Sequence, residues 1–340
     1  MRIKLNRKTI RFLIGLLVAA AVLGVLFYLL RVWDRNRYRV DVSEETDLYE
    51  NEDEALMFVN GKWYKARDEI ETILLLGLDK YEEQIPAEGA EYTNHQQADF
   101  LLLLVLDHEK KTYTALHLNR DSMAEIETFG VDGKSAGKKT AQLALAHTYG
   151  SGGRDSCRNT VSAVSGYLLG ASIDHYLSLT MDAVATVNDL AGGVTVSVLD
   201  DLTPVDPTLV KDSDVTLSGS QALAYVRARG GLEDSSNLRR MERQRQYLHA
   251  LHQQVETKMA ESEDFLLNTI VEVSDYLVSD CTVNQLSEIA DSVADYTNAG
   301  IRTIEGEAVK GDPYMEFYAD EETLRSLVLE LFYTETENRA

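Results

Sequence analysis

The chain has 340 residues, 44% of them hydrophobic, and a formal net charge of −23 at pH 7. That length and apolar content allow a large core in one large domain or two small ones. The acidic balance argues against a nucleic-acid partner. Neither of the two cysteines, Cys157 and Cys281, stands in a metal-ligand spacing.

The N-terminus is not globular in pattern. Phe12 to Leu30 is an uninterrupted apolar run between Arg11 and Arg31. It has the roughly 20 residues a membrane helix needs and no clear cleavage site behind it. The expectation is a cytoplasmic segment 1–11, a transmembrane helix over 12–31 and a bulk of the protein outside the cell membrane. The charge bias is small, because Arg2, Lys4, Arg7, Lys8 and Arg11 precede the run and Arg31, Arg35, Arg37 and Arg39 follow it. Residues 32–54 are polar and acid-rich and read as a spacer from the bilayer.

From 55 onward the pattern is that of one domain, 55–340. Asn60-Gly61 between apolar-aromatic segments predicts a hairpin over 55–66. Thr72–Leu78 and Phe100–Leu106 are continuous apolar runs, suited to central strands covered on both faces. Tyr113–Leu118 is expected as an antiparallel neighbour, with a polar loop over 80–97. Helical spacing marks Thr140–Tyr149, Ser156–Leu169 and Met181–Leu190. His175–Leu179 and Val194–Val198 read as strands. A helix capped near Ser218 finishes around Val226, and a long one runs from Ser235 to about Lys258 with Ser236 or Asn237 as its N-cap. Residues 264–277, 284–295 and 321–333 look helical, and Ile301–Ile304 and Tyr314–Tyr318 look extended. Strands alternating with helices predict a three-layer α/β/α domain around a central mixed sheet, with a motif core at 72–258 and a C-terminal extension at 259–340.

Against the acidic background, Arg227, Arg229, Arg239, Arg240, Arg243 and Arg245 fall in one short window containing no Lys. Arg presents a planar, permanently charged fork that fits phosphate oxygens two at a time. Asp79, Asp99 and Asp121 stand at strand ends, where hard oxygen ligands on neighbouring loops suit Mg2+. Taken alone, such aspartates are better explained as helix caps or turn closers. Beside the arginines they suggest a pyrophosphate and a divalent cation. On the long helix, Arg239 shares a face with Arg243, and Arg240 with Gln244, so all cannot meet one ligand. Arg239 and Arg245 are the expected bystanders. His95, His117 and His147 show no zinc pattern. Cys157 and Cys281 could be bridged or free.

Several of these segments resemble the LytR-CpsA-Psr (LCP) cell-wall glycopolymer transferases. Ala98-Asp99 before an apolar strand is similar to that family's first acidic motif, and Asn119-Arg120-Asp121-Ser122 to its Pro-Arg-Asp-Thr segment. His147 to Gly153 is similar to its Ala-Tyr-x-x-Gly-Gly region. Ile173-Asp174-His175-Tyr176 and Gly192-Gly193-Val194-Thr195-Val196 resemble two further signatures. Leu217 to Arg229 and Arg240-x-x-Arg243-Gln244 resemble the closing motif. The likeness covers roughly residues 55–258 and the anchor.

The resemblance implies a membrane-anchored phosphotransferase that moves a glycopolymer from an undecaprenyl-pyrophosphate carrier onto peptidoglycan through a phosphodiester bond. Its usual acceptor is the 6-hydroxyl of N-acetylmuramic acid. Asp99 and Asp121 would hold Mg2+ (or Mn2+). Arg120, Arg227, Arg229, Arg240 and Arg243 would grip the pyrophosphate with Gln244 assisting, and the lipid tail would lie against the Leu-rich strands. Positioning and charge neutralisation dominate such chemistry. Arg120 and Arg227 are the catalytic arginines of this reading, and Asp234, between the two arginine groups, is the candidate base.

The departures from the family pattern are Gln97 where many members have Arg, Asn119 for Pro, and no Gly-Asp-Phe-Gly, so that Asp234 and Asn237 compete for one role. Two alternatives stay open: a prenyl-pyrophosphate hydrolase, and a non-catalytic lipid-glycan binding or wall-attachment module.

Overall fold

A computed structural model of the chain describes residues 50–51, 54–78, 96–129, 134–150, 152–228, 236–262, 264–311 and 314–337. All of them belong to one compact unit, Ser43–Ala340. The apolar run at 12–31, Asp79, His95, Arg229 and Asp234 lie outside the described residues. Among the described residues no helix is long and apolar enough to cross a membrane.

In chain order the strands and helices are β1 (Glu50–Asn51), β2 (Glu54–Val59), β3 (Lys62–Ala66), β4 (Ile70–Leu78), β5 (Ala98–Asp107), β6 (Thr112–Leu118), β7 (Met123–Phe129), β8 (Ser135–Gln142), α1 (Leu143–Ala146), α2 (Gly153–Tyr167), β9 (His175–Thr180), α3 (Asp182–Leu190), β10 (Val194–Ser197), β11 (Asp214–Leu217), α4 (Gly219–Arg227), α5 (Asn237–Glu261), α6 (Phe265–Glu272), β12 (Leu277–Ser279), α7 (Val283–Ser292), β13 (Thr297–Thr303), β14 (Gly306–Lys310), β15 (Met315–Ala319), α8 (Glu321–Phe332) and β16 (Tyr333–Thr336).

The central sheet has six strands in the order β12-β9-β4-β5-β6-β13. It is mixed: β4–β5, β5–β6 and β12–β9 pair antiparallel, whereas β4–β9 and β6–β13 pair parallel. The two apolar runs therefore sit side by side at its centre. One face carries Leu74, Leu76, Leu101, Leu103, Val105, Leu116 and Leu118. These pack against Val161, Val164 and Leu168 from α2 and its end, and Leu324, Leu327, Val328 and Leu331 of α8. The opposite face carries Ile73, Leu75, Phe100, Leu102, Leu104, Leu106, Leu177 and Leu179, of which Ile73, Leu102 and Leu106 are buried and the rest half-buried. Helix α5 crosses that side, with its His252 stacked on Tyr113 of β6 at a 6.0 Å ring separation. Gly77 is needed there, because an added Cβ would come within 2.8 Å of the Phe100 Cβ.

Helices thus cover both sides of a mixed sheet, as the alternating pattern predicts. The β2–β3 hairpin turns at Asn60 (φ 51°) and Gly61 (φ 81°), the positive-φ pair expected of Asn-Gly. The helix expected over Thr140–Tyr149 is corrected: residues 135–142 form β8, paired with β7, and only Leu143–Ala146 is α-helical before a 3-10 turn. The helix expected over 264–277 ends at Glu272, a 3-10 turn follows, and the chain enters the sheet as β12.

The C-terminal extension does more than cover the sheet. It supplies β12 and β13 at the two edges, and β16 pairs with β3. A second apolar cluster joins β10, β11, α4 and α5 through Val194, Val196, Leu217, Tyr225 and Tyr247.

Candidate functional site

The central strands end where the acidic residues begin. The register places Ala98 of β5 beside Leu78 of β4 and Leu101 beside Leu118 of β6. Asp99 and the turn 119–122 therefore meet at one end of the sheet. That turn is fixed by backbone bonds: Ser122 N to Asn119 O (3.0 Å), Ala144 N to Arg120 O (3.0 Å) and Phe317 N to Asp121 O (2.9 Å). The last comes from β15, so the C-terminal extension clamps the turn from behind.

The Arg120 guanidinium lies between the two carboxylates. Its Nη1 contacts Asp99 Oδ1 and its Nε lies 3.3 Å from Asp121 Oδ1. Its Nη2 donates to Gln97 Oε1 at 2.6 Å. Asp121 Oδ1 also accepts from Gln142 Nε2 at 3.1 Å, and that amide donates to the Met315 carbonyl at 2.6 Å. The N-terminal turn of α5 closes the cluster. Ser236 caps the helix by accepting from Arg239 N at 3.2 Å. Arg240 Nη2 then donates to the Asp99 carbonyl (3.2 Å) and to Asn237 Oδ1 (2.6 Å). Asn237 Nδ2 reaches Asn119 Oδ1 at 2.5 Å. Beneath the cluster, buried His117 has its pKa pushed down to about 3, first by burial and then by the charges of Arg245 and Arg240.

The other arginine pair of α5 does something else. Arg243 is 1% exposed. Its Nε donates to Tyr225 O at 3.0 Å, its Nη2 to Ala228 O, and its Nη1 meets Asp200 Oδ2 at 2.5 Å. Arg239 Nε meets the second oxygen of Asp200 at 2.7 Å. Gln244 Nε2 donates to Val226 O at 3.2 Å. These side chains satisfy carbonyls at the C-terminal end of α4, which would otherwise be orphaned.

Of the residues predicted to carry the chemistry, the structure brings together Asp99, Arg120, Asp121 and Arg240. Arg227 is the last residue of α4 and is exposed, before Ala228 (φ −52°, ψ 132°) turns out of the helix. The expectation of an extended Val226–Arg229 is corrected at its start, since Val226 and Arg227 are helical. Arg243 and Gln244, expected at the pyrophosphate, here donate to carbonyls of the α4 end. Arg245, the other expected bystander to the ligand, is one of the charges that lower the His117 pKa. Gln142, Asn119 and Asp200 were not singled out as site residues. Gln142 and Asp200 have long-range partners that local pattern does not signal, whereas Asn119 lies within the 119–122 motif and also accepts from Asp121 N at 3.0 Å.

A metal fits one part of this arrangement. Asp99 and Asp121 converge on one guanidinium, so their carboxylates can also converge on one hard cation, with phosphate oxygens and water completing the shell.

Comparison with known proteins agrees with this fold and these segments. The profile of the LytR_cpsA_psr family matches residues 36–330, and the chain belongs to that family. Among its relatives is the polyisoprenyl-teichoic acid–peptidoglycan teichoic acid transferase TagU of Halalkalibacterium halodurans, 28% identical over 184 residues, which are 54% of this chain and 52% of that one. The TagU of Enterococcus faecalis is 26% identical over 250 residues, covering 72% of this chain and 71% of that one. Among solved structures, TagT, a Bacillus subtilis protein, bound to LI-WTA is similar with a TM-score of 0.58 and 20% identity over 78% of this chain and 90% of that one.

Proposed function

We propose that this chain is a membrane-anchored transferase that moves a glycopolymer from a polyprenyl-pyrophosphate carrier, undecaprenyl in the family's terms, onto peptidoglycan. The class of reaction follows its relatives, which are named as polyisoprenyl-teichoic acid–peptidoglycan teichoic acid transferases. The observation that carries the reading is the Arg120 bridge between Asp99 and Asp121 with Arg240 on the Asp99 backbone. It sets two fixed positive charges and two carboxylates at one strand end, above a sheet face on which Leu75, Leu104, Leu177 and Leu179 are only partly covered. A pyrophosphate needs the first and a prenyl chain the second.

In this reading the oxygen of a peptidoglycan hydroxyl attacks the phosphorus that bears the glycan. The bond from that phosphorus to the prenyl phosphate breaks, and prenyl monophosphate leaves with the electron pair. Arg120 and Arg240, with Arg227 and Arg229, neutralise the charge on the pyrophosphate and hold it in line. Asn119 and Asn237 fix the loop and helix ends that carry these arginines. Arg243, Gln244 and Arg239 act at one remove, by holding the end of α4 on which Arg227 stands. Asp234 remains the proposed base. Asp99 and Asp121 would hold Mg2+ or Mn2+, which supplies further charge neutralisation when bound. The span at 12–31 would keep the domain at the outer membrane face, where carrier and acceptor meet.

The test uses the full-length protein in detergent with a short-chain prenyl-pyrophosphate glycan, Mg2+ and peptidoglycan oligomers, read by mass spectrometry. A phosphate-bridged glycan–peptidoglycan adduct that disappears in Asp121→Ala and on chelation supports the reading. Prenyl phosphate released without an adduct replaces it with hydrolysis. Binding with neither product replaces it with a carrier-binding module.

A further inference from the structure

At the end of the sheet opposite Asp99 and Asp121, a second group of chemically distinctive side chains gathers. His175 is the first residue of β9, and Asp280 and Cys281 directly follow β12. The antiparallel register of those strands, with Ser279 beside Leu177, brings the two segments together. Glu71, at the start of β4, stands next to them. We propose that His175, Asp280 and Cys281 bind a divalent cation of the zinc class, with Glu71 orienting the histidine. Nothing in this proposal depends on the transferase reading.

The ligand atoms of His175, Asp280 and Cys281 all lie within 4.8 Å of one another. Zinc bond lengths put tetrahedral ligands roughly 3.3–3.8 Å apart, so the set must close in by about 1 Å. Side-chain rotation supplies that, because the backbone is already arranged. Ser279 Oγ donates to Tyr176 O (2.8 Å) and accepts from Cys281 N (2.9 Å), which fixes the turn. Asp280 Oδ1 accepts from Tyr176 N at 3.0 Å, leaving Oδ2 3.6 Å from His175 Nδ1. Both cysteines are free, and Cys281 is partly exposed. Asp280 is exposed, which gives an ion a way in.

The chemistry of the set selects the ion. One nitrogen, one carboxylate and one thiolate suit Zn2+ or Co2+, whereas Mg2+ and Ca2+ take oxygen shells. The surroundings also match what metal-binding histidines need. The other ring nitrogen, His175 Nε2, lies 3.5 Å from Glu71 Oε1. Glu71 Oε2 is 2.9 Å from His108 Nε2, and His108 Nδ1 is 2.8 Å from the Tyr296 hydroxyl. A carboxylate behind the ligand histidine, itself held by further hydrogen bonds, fixes the ring's tautomer and direction. Three protein ligands leave a fourth position for water or another group.

The hydrogen bonds of His175 with Asp280 and Cys281 push its pKa up to about 10. The groups facing it are Glu71, Asp280 and Cys281, with His108 behind Glu71. The sequence hides this site, since more than 100 residues separate His175 from Asp280-Cys281 and no ligand spacing marks it.

The experiment is a titration of the full-length protein, stripped with a chelator, with Co2+ alone. The expected result is one equivalent bound, with a thiolate-to-cobalt charge-transfer absorption that Zn2+ removes and Mg2+ does not. Cys281→Ser abolishes the absorption and Cys157→Ser keeps it. Glu71→Gln keeps it but weakens binding about 10–100-fold. Circular dichroism confirms that each variant is folded. Absence of the absorption in the unaltered protein overturns the proposal. So does its persistence in Cys281→Ser or its loss in Cys157→Ser.

Discussion

Arg240 and Arg243 stand within one turn of each other on α5, and both are nearly withdrawn from solvent, at 4% and 1% exposure. Arg240 faces the strand end and reaches Asn237 and the Asp99 carbonyl. Arg243, a neighbouring position round the helix, reaches Asp200 and two carbonyls at the end of α4 instead. One motif therefore serves two purposes. Its first arginine joins a cluster with Arg120 and two carboxylates that can open toward a charged ligand. Its second is consumed by the fold. A charge run in sequence says how many guanidinium groups are present, and only the packing of the helix says which of them have donors to offer.

The largest effect that would break this contrast is on stability. Arg243→Met strips the donor from two carbonyls at the end of α4 and leaves Asp200 to Arg239 alone, so unfolding free energy should fall by about 3–5 kcal/mol in urea titrations. If the variant is as stable as the parent, Arg243 is not a structural tie. Next, Arg120→Ala should lower the transfer rate by about 10²–10³-fold, the range for losing one preorganised donor to developing charge. Its circular dichroism should be unchanged, which separates it from Arg243→Met. A smaller effect sharpens the role of the C-terminal extension. Gln142→Ala strips a buried amide from Asp121 and the Met315 carbonyl, and should cost about 1–3 kcal/mol of stability. Transfer should drop with it, because Asp121 loses a tether.

The smallest effect concerns pH. His117 and His147 are buried, and burial lowers their pKa values from 6.5 to about 3 and about 4. The unfolded chain takes up protons on both below about pH 6.5 while the folded chain does not. Stability is therefore full above that pH and declines as pH falls from 6.5 toward 4. His147→Gln should flatten this slope in melting curves recorded across that window.

The sheet was legible because its central strands are continuous runs of leucine, and the hairpin because Asn60-Gly61 admits little else. Residues 140–149 were not, because their apolar spacing fits a helix while pairing with β7 holds 140–142 extended. Helical periodicity correctly grouped Arg239 with Arg243, since both reach Asp200. It could not show that their face meets a half-buried carboxylate about 40 positions earlier. The Asp99–Arg120–Asp121 meeting follows from strand register. Its clamp by Gln142 and β15 spans too much sequence to be read locally.

The most direct test of the two-purpose motif is calorimetric titration of the full-length protein with farnesyl pyrophosphate and Mg2+. Arg120→Ala, Arg240→Ala and Arg239→Ala would be compared with the parent. The account predicts that the first two lose binding and that Arg239→Ala, whose guanidinium faces Asp200, keeps it. Binding lost in Arg239→Ala but kept in Arg120→Ala would place the ligand at the other cluster and contradict the account.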